Sequence, residues 1–268
     1  MTNKTWEAFE AESAQYLNDR YAAEYQCAFT QSGGHNSHEP DIYVTKKCSR
    51  LFSMETKMSN AQCGQFVLFP DDSNQKFNYS EKNEFPENDF SKAIISEMER
   101  DYYKYNKPST KQIDIDKKFF YQWVINHYKI DRCSKYLITR GHDFVIFNID
   151  KFAKYFDISA VFRVKKSGSS NPNTSDLTEI RELLNAAQIR FSNLCHNGRY
   201  VEVNLPNVTV DRFTHKGGKF TYQYKLLENQ TYRITKLSNT YNANVIFSIS
   251  LKREQDEEDL KEFLTDLA

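Results

Sequence analysis

Three residues in the first quarter of the chain have types and a spacing suited to the hydrolysis of a phosphate ester. Asp41 follows Pro40, and after 13 intervening residues the segment Glu55-Thr56-Lys57 supplies a second carboxylate and a lysine. Two carboxylates can hold a hard cation such as Mg²⁺ together with water and phosphate oxygens. A neighbouring ammonium can orient a water molecule, while the cation stabilises the developing negative charge. The spacing therefore indicates Asp41, Glu55 and Lys57 as catalytic residues, with Asp41 and Glu55 as metal ligands.

The segments around these residues predict two neighbouring strands. Residues 41–44 and 51–55 are apolar enough for buried strands, and the polar residues 47–50 between them suit the connection of a hairpin. Side chains alternate along a strand, so Glu55 and Lys57 project to the same face. Pairing with the strand that begins at Asp41 brings all three side chains to one point.

This arrangement resembles the PD-(D/E)XK nuclease superfamily, and within it type II restriction endonucleases and archaeal-type Holliday junction resolvases. The resemblance covers roughly the first 70 residues, with a weaker similarity to about residue 158, in the order helix, strand, strand, strand, helix. The last helix is expected to begin at Ala61, and Gln62 within it is a candidate for DNA contact. The resemblance implies a bound Mg²⁺, with Mn²⁺ able to substitute. It also implies a turn that faces DNA, containing His35, Asn36 and Ser37.

A helix over about residues 5–21 precedes that turn. Glu10 lies on its apolar face, whereas Glu7 and Glu12 fall at the margin of that face or outside it. A carboxylate that points inward is costly unless it is paired or bound to a metal. In the resembled superfamily a glutamate of the first helix often joins the metal site, so the resemblance implies that Glu10 is a catalytic residue and a third metal ligand. The apolar face consists of Trp6, Phe9, Ser13, Leu17 and Tyr21.

The remaining pattern predicts an α/β (α+β) fold with a restriction-endonuclease-like core, a mixed central sheet flanked by helices, and a β-rich C-terminal half. We expect residues 1–158 to form the catalytic core and residues 159–268 to form a β-rich DNA-recognition region closed by an acidic C-terminal helix. The expected elements are a long loop at 70–88, helices at 89–105, 114–128, 150–156 and 175–193, strands at 135–139, 144–147 and 161–165, and four or five strands over 199–251.

Composition indicates a cytoplasmic protein without a membrane partner. The chain has 268 residues, of which 39% are hydrophobic, and no apolar run approaches the roughly 18 residues of a membrane span. Its five cysteines are odd in number and form no Cys-x-x-Cys pair. Reduced thiols are therefore expected, and a structural zinc site is not.

A net charge of zero conceals an uneven distribution. Residues 160–253 carry 14 basic and six acidic residues, a net charge of +8, whereas residues 254–268 carry seven acids and one base. A basic half beside the carboxylates suits phosphate binding. The candidates for DNA contact in this half are Arg163, Lys165, Lys166, Ser167, Ser169, Lys216 and Lys219.

Together these features predict a Mg²⁺-dependent, sequence-specific endonuclease of double-stranded DNA, a type II restriction enzyme. A Holliday junction resolvase or other structure-specific nuclease would share the catalytic residues, and a DNA-binding protein without catalysis is a second alternative. One metal site cuts one strand, and the sequence holds a single Asp-Glu-Lys set of this kind. Cleavage of both strands therefore predicts a homodimer, and restriction predicts a companion DNA methyltransferase that acts on the same site.

Overall fold

The computed structural model describes the chain in five stretches and divides it into two units. The first unit comprises residues 1–163 and 243–268, and the second comprises residues 164–242. The structure describes residues 6–32, 39–107, 109–166, 168–239 and 241–268, without the side chains of residues 165, 166 and 241.

Eight α-helices and 16 strands lie in these stretches. The helices are α1 (Trp6–Leu17), α2 (Ala23–Tyr25), α3 (Asp89–Glu99), α4 (Tyr102–Tyr105), α5 (Lys117–Asn126), α6 (Phe152–Tyr155), α7 (Leu177–Ala186) and α8 (Glu257–Leu267). The strands are β1 (Cys27–Gln31), β2 (Ile42–Lys46), β3 (Ser49–Thr56), β4 (Asn60–Asp71), β5 (Lys76–Tyr79), β6 (Thr110–Gln112), β7 (Tyr136–Arg140), β8 (Phe144–Asn148), β9 (Phe156–Lys166), β10 (Ser169–Ser170), β11 (Ser192–His196), β12 (Val201–Asn204), β13 (Arg212–Lys216), β14 (Phe220–Glu228), β15 (Thr231–Ser238) and β16 (Tyr241–Leu251).

The first sheet has the strand order β1-β2-β3-β7-β8. Only β3 and β7 run parallel, and the other neighbours are antiparallel, so the mixed sheet expected from the sequence is present. Helices α1 and α8 pack against one face of it, where Leu17, Val44, Met54, Phe263 and Leu267 belong to one buried cluster. The opposite face carries Phe147, which stacks on Tyr155 of α6 with 4.1 Å between ring centroids. Burial on both faces holds the strands that carry the candidate site.

The second sheet of this unit corrects two expectations. Its order is β5-β4-β16-β9-β6. The segment after Lys57, expected to be a helix from Ala61, is strand β4, and the expected loop at 70–88 contains the end of β4 and all of β5. Strand β4 pairs with β16 from Asn60↔Ser250 to Leu68↔Ala243. These backbone hydrogen bonds with a strand distant in the sequence override the weak helical pattern.

Two of the three helices predicted between residues 89 and 156 are present as single segments. Helix α3 begins with a capping box, in which Asn88 accepts from the backbone of Ser91 and the Ser91 side chain reaches back. Helix α5 continues into a π-helical turn, His127–Asp131, and α6 follows a 3₁₀ turn, Ile149–Lys151. The helices expected at 114–128 and 150–156 are therefore confirmed, with shifts at their ends. The single helix expected at 89–105 is instead two helices, α3 and α4, separated by residues 100–101.

The second unit is a sheet with one helix. The strand order is β11-β12-β15-β14-β13, and the short β10 pairs with β15. Helix α7 follows a 3₁₀ turn, Thr174–Asp176, and is shorter than the predicted helix at 175–193. Its buried side chains share a core with the sheet, formed by Ile180, Leu184, Val201, Val203, Leu205, Tyr222, Tyr224, Tyr232 and Ile234.

The division into units differs from the predicted boundary after residue 158. The observed first unit extends to residue 163 and also contains residues 243–268, because β16 pairs with β4 and α8 packs against β8. The acidic C-terminal helix therefore belongs to the first unit and does not close the β-rich region. In the described ranges no helix is long and apolar enough to cross a membrane.

Candidate active site

The β2–β3 hairpin places the two predicted carboxylates opposite each other. Ile42 pairs with Met54 in the register, so Asp41, just before β2, lies across from Glu55. The connection is a two-residue turn at Lys47 and Cys48, both with positive φ, as tight hairpins require. Both carboxylates therefore project to the face opposite Ile42 and Met54.

Asp41 is buried, and Thr56 holds one of its two carboxylate oxygens. The backbone N–H of Thr56 donates to Asp41 Oδ2 at 2.8 Å, and the Thr56 hydroxyl donates to the same oxygen at 3.0 Å. Burial raises the pKa of this carboxyl, but Lys57, Arg132 and the Thr56 donors outweigh burial and hold the pKa below its ordinary value. Asp41 is therefore a charged acceptor at neutral pH.

Glu55 is fully buried, and in the described part of the chain only one of its two carboxylate oxygens accepts a hydrogen bond. Ser134 Oγ donates to Glu55 Oε1 at 2.9 Å, whereas Oε2 has no hydrogen-bond partner among the described residues. Burial raises the pKa of the Glu55 carboxyl to about 8, and the neighbouring Asp41 carboxylate adds to this, while Lys57, Arg132 and Ser134 act in the opposite direction. A buried carboxylate oxygen without a donor is costly, so this atom suits a cation.

Lys57 faces both carboxylates from the end of β3. Its Nζ lies 3.7 Å from Asp41 Oδ2 and 3.8 Å from Glu55 Oε2, and 5.5 Å from the ring centre of Tyr128. Its backbone N–H donates to Ile138 O at 3.0 Å, which continues the pairing of β3 with β7. The structure thus brings the three predicted residues together.

Glu10 is buried on α1, at 6% exposure, as its predicted position on the apolar face requires. Gln31 Nε2 donates to Glu10 Oε2 at 3.3 Å. Burial raises the pKa of the Glu10 carboxyl, and the charge of Asp41 adds to this effect. Glu7 is exposed, and Glu12 is half-buried and forms an ion pair with Arg140.

Trp6 departs from the expectation for this face. It was predicted to point inward, yet it is 49% exposed because it lies in the first turn of α1, beyond the edge of the core. A cavity of about 400 Å³ opens beside it, lined by Glu10 and Lys57 among others. Its further lining residues are Phe9, Thr56, Met58, Asn60, Ala61 and Gln62.

The fold as a whole is similar to that of a known enzyme. A solved structure of the HhaI endonuclease in complex with DNA is 33% identical in sequence, with a TM-score of 0.67, over 98% of this chain and 99% of that one. The chain belongs to the HhaI endonuclease family. No protein-family model matches the sequence of this family member, and no curated protein matches it.

The carboxylate pair of this chain offers oxygen donors of the kind that Mg²⁺ takes. Asp41 and Glu55 supply hard oxygen donors, and Glu55 Oε2 is buried without a hydrogen-bond partner in the described part of the chain. Mg²⁺ usually takes only one or two carboxylates and completes its shell with water and phosphate oxygens. Among the described residues, no group of three or more His, Cys, Asp or Glu side chains could hold a metal ion. The role of Glu10 as a third ligand therefore stays a prediction.

Arg132, which was not predicted from the sequence, touches both carboxylates. Its Nη2 lies 3.2 Å from Asp41 Oδ1, and its Nε lies 3.2 Å from Glu55 Oε1. Tyr128, four residues earlier, and Ser134 also reach the site from this segment. No motif marks these residues, and only the polar run before β7 could have drawn attention to them.

The structure describes some of the residues of this chain that were predicted to contact DNA. Gln62 is exposed on β4 and lines the cavity, Arg163 is exposed on β9, and Ser169 is exposed on β10. Lys216 and Lys219 are exposed at either side of the turn between β13 and β14. Those that lie outside the described residues are His35, Asn36, Ser37 and Ser167, together with the side chains of Lys165 and Lys166.

Proposed function

We propose that the chain is a Mg²⁺-dependent, sequence-specific endonuclease of double-stranded DNA, a type II restriction enzyme with a PD-(D/E)XK active site. The observation that carries the proposal is the convergence of Asp41, Glu55 and Lys57 in a chain of the HhaI endonuclease family. The HhaI endonuclease structure contains DNA, which supports DNA as the substrate of this chain.

Each residue of the trio has a distinct task in this proposal. Asp41 presents a carboxylate whose charge is maintained by Thr56 and the nearby cations. Glu55 presents Oε2, which accepts no hydrogen bond from the described residues. Lys57, whose side chain is 18% exposed, borders the cavity and donates to a water or a phosphate oxygen there. Mg²⁺ bound to these oxygens would stabilise the charge that develops on the phosphate and lower the pKa of a water.

Recognition of DNA is assigned to basic, exposed side chains outside the trio. Residues 164–242 contain 11 basic and six acidic residues, a net charge of +5. Arg163, Ser169, Lys216 and Lys219 are exposed and able to contact phosphates. Contacts of this kind release counterions, so binding should weaken as salt rises. Sequence specificity requires some of these side chains to reach base edges.

Three further features of the proposal come from the sequence alone. A homodimer, with one active site for each strand, predicts a mass of about 63 kDa by light scattering, twice the 31.6 kDa of the chain. A twofold dimer predicts a palindromic target. A companion methyltransferase and a cytoplasmic location complete the restriction hypothesis.

A digest of a large DNA with Mg²⁺, followed by sequencing of the ends, tests the proposal. Discrete fragments with one common end sequence are the expected result. Cutting confined to four-way junctions would instead identify a resolvase, and binding without cutting would identify a non-catalytic DNA-binding protein. Ca²⁺ in place of Mg²⁺ should permit binding with little cleavage.

Variants of the trio test the assignment of the residues. Asp41→Asn, Glu55→Gln and Lys57→Ala should each slow cleavage by orders of magnitude, and their losses should not add because the three act as a unit. Matched controls are Asp89→Asn and Lys92→Ala, an exposed pair at 3.6 Å on α3. These controls should cut normally, because exposed pairs contribute little. Normal cutting by a trio variant removes that residue from the site.

A further inference from the structure

Arg132 reaches the carboxylate pair from a distorted helical end. It follows the π-helical turn His127–Asp131, and its backbone N–H donates to His127 O at 3.1 Å. A single π turn of this kind is frequent at functional sites. It places Tyr128 and Arg132 on the side that faces the site, where the Tyr128 hydroxyl donates to Cys63 O at 2.6 Å. The arginine side chain is only 12% exposed.

The contacts of Arg132 divide the four carboxylate oxygens into two sides. Arg132 lies against Asp41 Oδ1 and Glu55 Oε1, each at 3.2 Å, and Ser134 also donates to Glu55 Oε1. Lys57 faces the other two oxygens, Asp41 Oδ2 and Glu55 Oε2. Thr56 occupies Asp41 Oδ2 with two hydrogen bonds. Glu55 Oε2 is therefore the one oxygen of the four without a hydrogen-bond donor among the described residues.

The guanidinium of Arg132 is suited to hold the four carboxylate oxygens in this arrangement. Arginine is planar and always charged, so one group can hold two carboxylates at a set separation and angle. Arg132 is itself fixed, because Nη2 also donates to the backbone carbonyl of Glu39, two residues before Asp41. Two buried carboxylates side by side repel each other, and a buried cation between them offsets that repulsion.

We propose that Arg132 is a positioning residue that orients Asp41 and Glu55 so that Glu55 Oε2 is left open to a divalent cation. Arg132 acts through the two carboxylates and touches neither the cation nor the DNA. The inference rests on the proposed function, since it supposes that this pair binds a metal. Groups that orient metal ligands from behind typically change metal affinity by about 10- to 100-fold when removed.

The test is the binding of Mn²⁺ to the protein alone, measured from the free Mn²⁺ signal in electron paramagnetic resonance. Arg132→Met should weaken Mn²⁺ binding by at least about tenfold. It should also raise the Mg²⁺ concentration needed for half-maximal cleavage. Arg132→Lys should restore part of the affinity, because an ammonium keeps the charge but cannot hold both carboxylates in one plane. If Arg132 only stabilised the fold, the Mn²⁺ affinity would not fall in steps from the unaltered protein to Arg132→Lys and then to Arg132→Met.

Lys129→Met is the matched control, because Lys129 lies in the same π-helical turn and pairs with the exposed Asp150 at 2.7 Å. It should bind Mn²⁺ as the unaltered protein does. Unchanged Mn²⁺ affinity in a folded Arg132→Met protein would overturn the inference while leaving the proposed function intact. Tighter binding would overturn it too, since Arg132 would then compete with the cation. If the unaltered protein binds no Mn²⁺ and cuts no DNA, both proposals fail together.

Discussion

Asp259 on α8 offers a test of how the C-terminal helix is fixed to the first unit. Its carboxylate side chain is 3% exposed and accepts hydrogen bonds from Lys151 Nζ at 2.6 Å, Lys154 Nζ at 2.8 Å and the Tyr155 hydroxyl at 2.5 Å. Asp259 is buried, whereas Glu257 and Glu258 beside it are exposed. Asp259→Asn keeps the size of the side chain and removes the charge that these donors share. We expect a less stable protein at neutral pH.

The magnitude follows from the pKa of this carboxyl. Burial raises the pKa, but the hydrogen bonds from Lys151, Lys154 and Tyr155 outweigh it and lower the pKa from 3.8 to about 2. Because the folded pKa lies below the unfolded one, the stabilisation is fully present above about pH 4 and is lost as the pH falls toward 2. A difference of this size corresponds to about 2 kcal/mol, given that both ammonium groups are about a third exposed. Asp259→Asn should therefore lose about 2 kcal/mol of unfolding free energy at pH 7.

Urea unfolding followed by tryptophan fluorescence measures this loss. Both tryptophans, Trp6 and Trp123, lie in the first unit, so the signal reports the unit that contains α8. The difference between Asp259→Asn and the unaltered protein should shrink by about half near pH 3. Glu258→Gln, an exposed neighbour, is the control and should change stability by less than about 0.5 kcal/mol. A loss for Asp259→Asn that is equally large at pH 3 and pH 7 would refute an origin in the charge.

Three further predictions concern DNA cleavage and binding. Glu10→Gln should raise the Mg²⁺ concentration required for half-maximal cleavage, whereas the exposed Glu7→Gln should not; equal requirements would exclude Glu10 from the metal site. Arg163→Ala should weaken DNA binding and, if Arg163 contacts a phosphate, reduce the slope of log affinity against log salt by about one. An unchanged slope and affinity in filter binding would remove Arg163 from the interface. Trp6→Ala should weaken binding by about 1–3 kcal/mol if the exposed indole stacks on a base, and Trp6→Phe should retain most of it; fluorescence anisotropy that finds equal affinities would contradict such stacking.

Features set by local pattern could be predicted from the sequence. Alternation around Asp41 and Glu55, with a polar connection between two apolar runs, was enough to predict the hairpin and the convergence with Lys57. The helical spacing that includes Phe9 and Leu17 correctly predicted the burial of Glu10. These predictions succeeded because each depends on a periodicity within about 20 residues.

Features set by distant partners could not be predicted in the same way. Strand β4 is a strand because β16 lies beside it, and nothing near Ala61 in the sequence reveals that partner. Arg132 meets Asp41 across a separation of 91 residues. Its role depends on where the π-helical turn ends, which composition and spacing do not determine. For the same reason, the sequence did not predict that residues 243–268 belong to the first unit.

The position of β16 has a consequence for synthesis of the protein. This strand lies in the middle of the second sheet, between β4 and β9, although it is nearly the last element in the chain. Translation proceeds from the N-terminus, so a nascent chain lacks the central strand of that sheet until residue 251 has left the ribosome. The β2–β3 hairpin is made early, but the unit around it is complete only after β16 has been made. A prematurely terminated polypeptide therefore cannot assemble the complete first unit.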